Sequence, residues 1–81
     1  MLKKLSDFNV GETGHIVKVE GEGKIRRRLF DMGVTPGADI ILMKKAPLGD
    51  PIEITIRGYE LTLRKNEAIY VTVEVNEEKG N

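Results

Sequence analysis

Between Lys24 and Gly37 the chain spells out one short helix with a firm end. Ile25, Leu29 and Met32 recur at helical spacing and share a face, while Arg26, Arg27 and Asp31 fall largely on the others. Gly33 follows the last periodic residue, where a helix commonly ends in the left-handed conformation that glycine adopts without strain. Thr35-Pro36-Gly37 then reads as a tight turn, because proline presets φ and glycine accepts positive φ. Everything around this basic, amphipathic helix reads as β-strand.

Leu5 and Phe8 flank the turn formers Ser6 and Asp7 and are expected to plug one end of the core. Residues 9–14 carry Gly11 and Gly14 and read as a turn before the first strand, at 15–20. Gly21-Glu22-Gly23 breaks that strand and leads into the helix. Residues 38–45 form a second strand, with Ile40 and Leu42 on one face and Ile41 and Met43 on the other. Apolar residues on both faces imply cover on both, by the helix on one. Residues 46–51, Ala-Pro-Leu-Gly-Asp-Pro, hold two prolines and a glycine and form a rigid loop. Residues 52–57 alternate, with Ile52, Ile54 and Ile56 inward and Glu53, Thr55 and Arg57 outward. Gly58 marks a hairpin, and Tyr59, Leu61 and Leu63 share a face of the next strand, at 59–64. Residues 65–68 break the pattern as one helical turn, with Asn66 as its cap. Residues 69–75 form the last strand, with Ile69, Val71, Val73 and Val75 on one face, and 76–81 make a frayed polar tail.

About five short strands and one inserted helix, with turn signals at regular spacing, point to a mainly β domain, a small barrel or sandwich. Closure would hide the strand edges that invite aggregation. The 81 residues suit a single domain, 1–81, without repeats or linkers. Exposed edges in a domain this small also permit pairing between copies, so a monomer or a weak dimer is expected.

Several function classes drop out. Thirteen basic and thirteen acidic residues give zero net charge, against a dedicated nucleic-acid binder. The charges are uneven: Arg26, Arg27 and Arg28 cluster in the helix, and Glu74, Glu77 and Glu78 near the C-terminus. Without cysteine there is neither a disulfide framework nor a thiolate metal site. No apolar run approaches the roughly 20 residues that span a bilayer, and no signal peptide is evident, so the cytoplasm is the default compartment. Ser6 is the lone serine and sits in a terminal turn, which leaves no serine–histidine–acid arrangement. Gly21-Glu22-Gly23-Lys24 imitates part of a phosphate loop, but Ile25 stands where a serine or threonine is required. The chain is expected not to be an enzyme and to need no cofactor.

The metal-ligand candidates are His15, Asp31, Asp39, Asp50, Glu53, Glu60 and Glu67. None forms a close ligand pair, and a borderline transition metal prefers imidazole among its ligands, of which there is one. No dedicated metal site is expected, and Met32 and Met43 read as gap fillers of the core. The better candidates bind a partner. Arg26, Arg27 and Arg28 suit planar recognition of carboxylates or phosphates, against the plainer reading of a solvated helix face. Arg28 is expected to pair with Asp31 or a nearby carbonyl. In the 46–51 loop, Pro47, Leu48 and Asp50 form the second candidate, because two prolines lower the entropy lost on binding and Leu48 can anchor a partner. The alternative is that these prolines only set a turn.

The order Gly11-x-x-Gly14-x-Ile16, Arg28-Leu29-x-Asp31-Met32-Gly33-x-x-Pro36-Gly37, Ala46-Pro47-Leu48-Gly49-Asp50-Pro51, Arg57-Gly58 and Leu63-Arg64-x-x-Glu67-Ala68 resembles the FeoA family of ferrous iron transport proteins A. The resemblance covers about residues 3–75 and lies in five pieces taken in order, each weak alone. It implies an SH3-like β-barrel with an inserted helix. It also implies a small cytoplasmic accessory protein that docks on and supports or regulates the cytoplasmic part of FeoB, a ferrous iron permease, and so meets the membrane only through that partner. The same fold occurs as the C-terminal domain of DtxR-type repressors, so a metal-responsive regulatory domain that binds a transition metal ion is the alternative. No winged-helix segment precedes the motifs, as expected of a stand-alone form.

Overall fold

The β-branched alternation of residues 52–56 sets the inside of the molecule. In a computed structural model that describes residues 1–76, Ile52, Ile54 and Ile56 are buried and the residues between them are half-buried. The elements run β1 (Leu2–Lys4), a 3-10 turn (Leu5–Asp7), β2 (Thr13–Val19), α1 (Gly23–Asp31), β3 (Asp39–Lys45), β4 (Ile52–Ile56), β5 (Tyr59–Leu63), α2 (Lys65–Ala68) and β6 (Val71–Val75). The six strands form one antiparallel sheet in the order β1-β6-β2-β3-β4-β5. Its pairing shifts between Ile16 and Lys18 and between Leu42 and Lys44. Such bulges bend a strand and deepen its twist, which lets a short sheet curl. The inward residues join Leu5, Phe8, Leu29 and Val34 in a single apolar cluster.

The mainly β reading holds, and so do α1 and Leu5 and Phe8 as core residues. Six strands replace the expected five. β1 has only three residues, too few to show a period, and exists because β6 offers it a ladder from Leu2↔Glu74 to Lys4↔Thr72. Gly14 lies inside β2 and not in a preceding turn. A Cβ there would sit 2.4 Å from the Glu74 carbonyl oxygen, so this glycine marks close backbone approach. Ile69 ends α2 and is exposed, so it does not share the inner face of β6. Tyr59 is likewise exposed, with Leu61 half-buried and Leu63 buried.

Asn66 is not the cap of α2. Arg64 takes that position, and the Glu67 carboxylate accepts its amide N–H at 3.0 Å. No ladder joins β1 to β5 among the described residues; the 3-10 turn after β1 packs instead on α2, which follows β5. Ile41 and Met43 remain 40% and 43% exposed, so the expected second cover of β3 is absent among the described residues. The expected frayed tail falls on residues 77–81, with Glu77 and Glu78, outside the described residues.

Candidate functional site

Helix α1 is fixed at its C-terminal end, and that end decides where its arginines point. The Gly33 N–H donates to the Phe30 carbonyl and the Val34 N–H to the Leu29 carbonyl, both at 2.9 Å, with Gly33 at φ +87°. These two bonds make a Schellman motif, and buried Leu29 and Val34 supply its apolar contact. Pro36 and Gly37 complete a type II turn closed by the Ala38 N–H on the Thr35 carbonyl. The β4–β5 hairpin then clasps the helix end. Arg57 Nε donates to the Gly33 carbonyl at 3.0 Å, and the Tyr59 hydroxyl donates to the Met32 carbonyl. The Met32 carbonyl, at the C-cap, would otherwise be orphaned and is satisfied this way.

The three arginines consequently part company. Arg26 is tied to the fold: its Nε donates to the Val19 carbonyl at 3.2 Å and its guanidinium stacks 4.5 Å from the Phe30 ring centre. Arg27 is exposed and makes no side-chain hydrogen bond or ion pair among the described residues. Arg28 does not pair with Asp31. Its Nη1 lies 3.5 Å from Glu67 Oε2 on α2, and Glu67 is itself oriented by the Arg64 amide. An exposed Asp31 has no such anchor.

Glu67 thereby links the two candidate regions. At the first residue of α2, the Lys65 N–H donates to Asp50 Oδ1 at 2.9 Å, which pins the 46–51 loop. Contacts therefore run from Arg28 through α2 to Asp50, and Leu48 in the same loop as Asp50 is 93% exposed. The loop keeps its own shape through the Gly49 N–H on the Ala46 carbonyl (2.7 Å) and the Ala46 N–H on the Pro51 carbonyl (3.0 Å). Arg57 and Tyr59 as a clasp, and α2 as a link, escaped the sequence reading. The signal for α2 was the Arg64-x-x-Glu67 spacing, in which a glutamate at the third helical position caps the helix start.

The metal-ligand candidates do not converge. The ladder places Glu74 and Asp39 on either side of His15. Yet among the described residues no three His, Asp or Glu side chains come together as a metal-binding group. Asp50 and Glu67 are engaged as above. Among the described residues no polar or charged side chain is buried, so the chemistry available lies at the surface. Two carboxylates there are perturbed. The Lys3 ammonium and then the Asn9 amide hold Glu12 below the usual carboxylate range. Lys18 and Lys4 do the same for Glu20. Both fasten the β1–β2 part of the molecule and lie outside the contacts that run from Arg28 to Asp50.

The FeoA domain family matches residues 3–75. A fusion protein of Fe(2+) transport protein A and the Fe(2+) transporter FeoB from Porphyromonas gingivalis is 38% identical over 72 residues. The match takes in 89% of this chain but 8% of that protein. The FeoA-like protein of Clostridium acetobutylicum superimposes with a TM-score of 0.88 at 38% identity, covering 96% of this chain and 91% of that one. The zinc complex of Stenotrophomonas maltophilia FeoA, an SH3 domain protein advanced as a ferrous iron transport activating factor, gives 0.75 at 26% identity. That superposition covers 91% of this chain and 89% of the other. A manganese-dependent transcriptional repressor shares the fold at 14% identity, with a TM-score of 0.86 over 93% of this chain and 41% of its own. The fold is thus SH3-like, and the chain belongs to the FeoA domain family.

Proposed function

We propose that this protein is a cytoplasmic, non-enzymatic accessory module of ferrous iron uptake that docks on the cytoplasmic part of a FeoB-type permease. One observation carries the reading: in the Porphyromonas gingivalis relative the matching domain is joined in one polypeptide to FeoB. Fusion raises the effective concentration of two parts that meet. The chain's own surface supports it. Arg27 makes no side-chain hydrogen bond or ion pair among the described residues, and Arg28 stays largely exposed while meeting Glu67 at 3.5 Å, so both are available to an acidic patch on a partner. On this proposal the docking face is Arg27 and Arg28 with the adjoining Glu67 end of α2, and Arg26 acts only by holding α1 in place. No helix among the described residues is long and apolar enough to cross a membrane. The metal-responsive alternative is supported by the fold shared with the manganese-dependent repressor and by the zinc complex of the Stenotrophomonas maltophilia relative, though no three His, Asp or Glu side chains come together among the described residues.

Calorimetric titration against the purified cytoplasmic domain of FeoB tests the proposal. Saturable binding is expected, weakened about tenfold or more by Arg27→Glu with Arg28→Glu, since reversal turns attraction into repulsion. Absence of binding, or equal binding by the double variant, refutes it.

A further inference from the structure

The strand register gathers an unusual set of side chains at one end of the sheet. Lys45 pairs with Ile52 and Ile52 with Leu63, so the end of β3, the start of β4 and the end of β5 lie together. The 46–51 loop joins the first two, and Arg64 and Lys65 follow the third. Four cations, Lys44, Lys45, Arg64 and Lys65, therefore surround the base of a loop whose tip, residues 46–49, bears no charge. None of the four side chains makes an ion pair or hydrogen bond among the described residues. The nearby carboxylates are accounted for. Asp50 is exposed but its Oδ1 accepts the Lys65 amide N–H, and half-buried Glu53 stands opposite Lys44 in the ladder. Lys45 also faces Glu12, whose ionised form it favours.

We propose that this end of the molecule seats on an anionic lipid surface. Leu48 enters the headgroup boundary, and Lys44, Lys45, Arg64 and Lys65 lie against lipid phosphates. The inference rests on the permease reading only for the presence of a membrane nearby. It departs from the expectation that the chain meets the membrane only through its partner. Exposure and charge favour lipid over a protein groove. Leu48 is 93% exposed, the most exposed of the large apolar residues described. A bilayer requires an aliphatic group in front and cations behind it, with no matching pocket. The loop's internal hydrogen bonds already fix its shape, so little order is lost on contact. A single leucine and a basic ring are each weak, but two such signals add, and each basic residue near an anionic leaflet contributes severalfold in partition.

Vesicle flotation of the purified chain tests this, with pure phosphatidylcholine set against mixtures rich in phosphatidylglycerol. Partition is expected to rise about tenfold or more on the anionic vesicles and to fall at high salt. Lys44→Glu with Lys45→Glu is expected to abolish that gain, and Leu48→Asp to reduce it severalfold. Arg27→Glu should leave it unchanged, and an amide spectrum checks that each surface variant is folded. Equal partition on neutral and anionic vesicles overturns the proposal. So does equal loss with Arg27→Glu. Perturbation of amides 44–50 by inorganic phosphate without vesicle partition would show a phosphate site and not a membrane contact. Loss of FeoB binding by Leu48→Asp with unchanged vesicle partition would assign the loop to protein. The permease titration contains no lipid, so failure of either reading is visible separately.

Discussion

Two segments of this chain are written in the same residues and end in opposite states. Residues 32–38 and residues 46–51 each turn on proline and glycine within a few positions. The first is fastened at every point. Val34 is buried, the Gly37 N–H reaches the Ile16 carbonyl at 2.7 Å, and the β4–β5 hairpin holds the Met32 and Gly33 carbonyls. The second is fastened only at its base, by Asp50 on the Lys65 amide, and raises Leu48 into solvent. Proline and glycine decide that the chain turns; the apolar side chain delivered by the turn, and the groups waiting for its carbonyls, decide whether the turn is structural. Val34 lands on Leu29, whereas nothing among the described residues receives Leu48.

The largest expected effect strikes the fastened side. Leu29→Ala removes a fully buried side chain from beneath the Schellman motif, and should lower stability by about 2–5 kcal/mol in urea unfolding. A loss under 1 kcal/mol would mean that α1 hangs on the sheet by its hairpin clasp and not by packing. Gly33→Ala comes next. Its φ of +87° costs an L-residue about 1–2 kcal/mol, and the new Cβ would press Tyr59 Oη at 3.2 Å and Arg57 Cδ at 3.3 Å. Loss of that order, with a perturbed tyrosine signal, is the expected result. A neutral outcome would show the clasp to be slack.

The sequence exposed the first segment better than the second for a physical reason. Helical period, a glycine stop and Pro36-Gly37 are local, and each acts within a few residues, so α1 and its ending were legible. The alternations of β4 and β5 were legible for the same reason. What joins α1 to the loop was not, because it depends on Arg28 meeting Glu67 and on Lys65 meeting Asp50, contacts that only the folded sheet creates. Arg26 shows the same limit. Its place in an Arg-Arg-Arg run looks like that of its neighbours, yet the Val19 carbonyl and Phe30 ring claim it. Ile41 and Met43 misled in the other direction, since apolar side chains on an outer face need not be covered by the same chain.

A smaller effect separates packing from charge as the fastening. The Glu12 carboxylate joins Lys3 at 2.7 Å to the turn at Asn9, and its pKa is lowered in the fold. A carboxylate with a depressed folded-state pKa contributes stability that is present above its unfolded value, 4.5, and is lost as pH falls through the lower folded value. Thermal unfolding midpoints should therefore decline on acidification below that point. Glu12→Gln should be less stable at neutral pH and show a flatter decline. Parallel curves for the two proteins would place the acid sensitivity elsewhere, Glu20 with Lys18 and Lys4 being the next pair to examine.

The smallest expected effect bears most directly on the contrast between the segments. Leu48→Ala removes the same atoms as Leu29→Ala, from a side chain that is 93% exposed. No apolar surface returns to water on unfolding that was not already there, so the transfer contribution is close to nil. Nor does a cavity remain, because few neighbours are left behind. The 46–51 loop keeps its two internal hydrogen bonds and its tie to α2, none of which uses the leucine side chain. Stability should therefore stay within about 0.5 kcal/mol of the parent in the same urea experiment. A loss comparable to that of Leu29→Ala would show that Leu48 packs in solution, and the loop would then belong with the fastened turn. A null result leaves an aliphatic side chain held in water with no benefit to folding, which is the condition under which a role in binding explains its position.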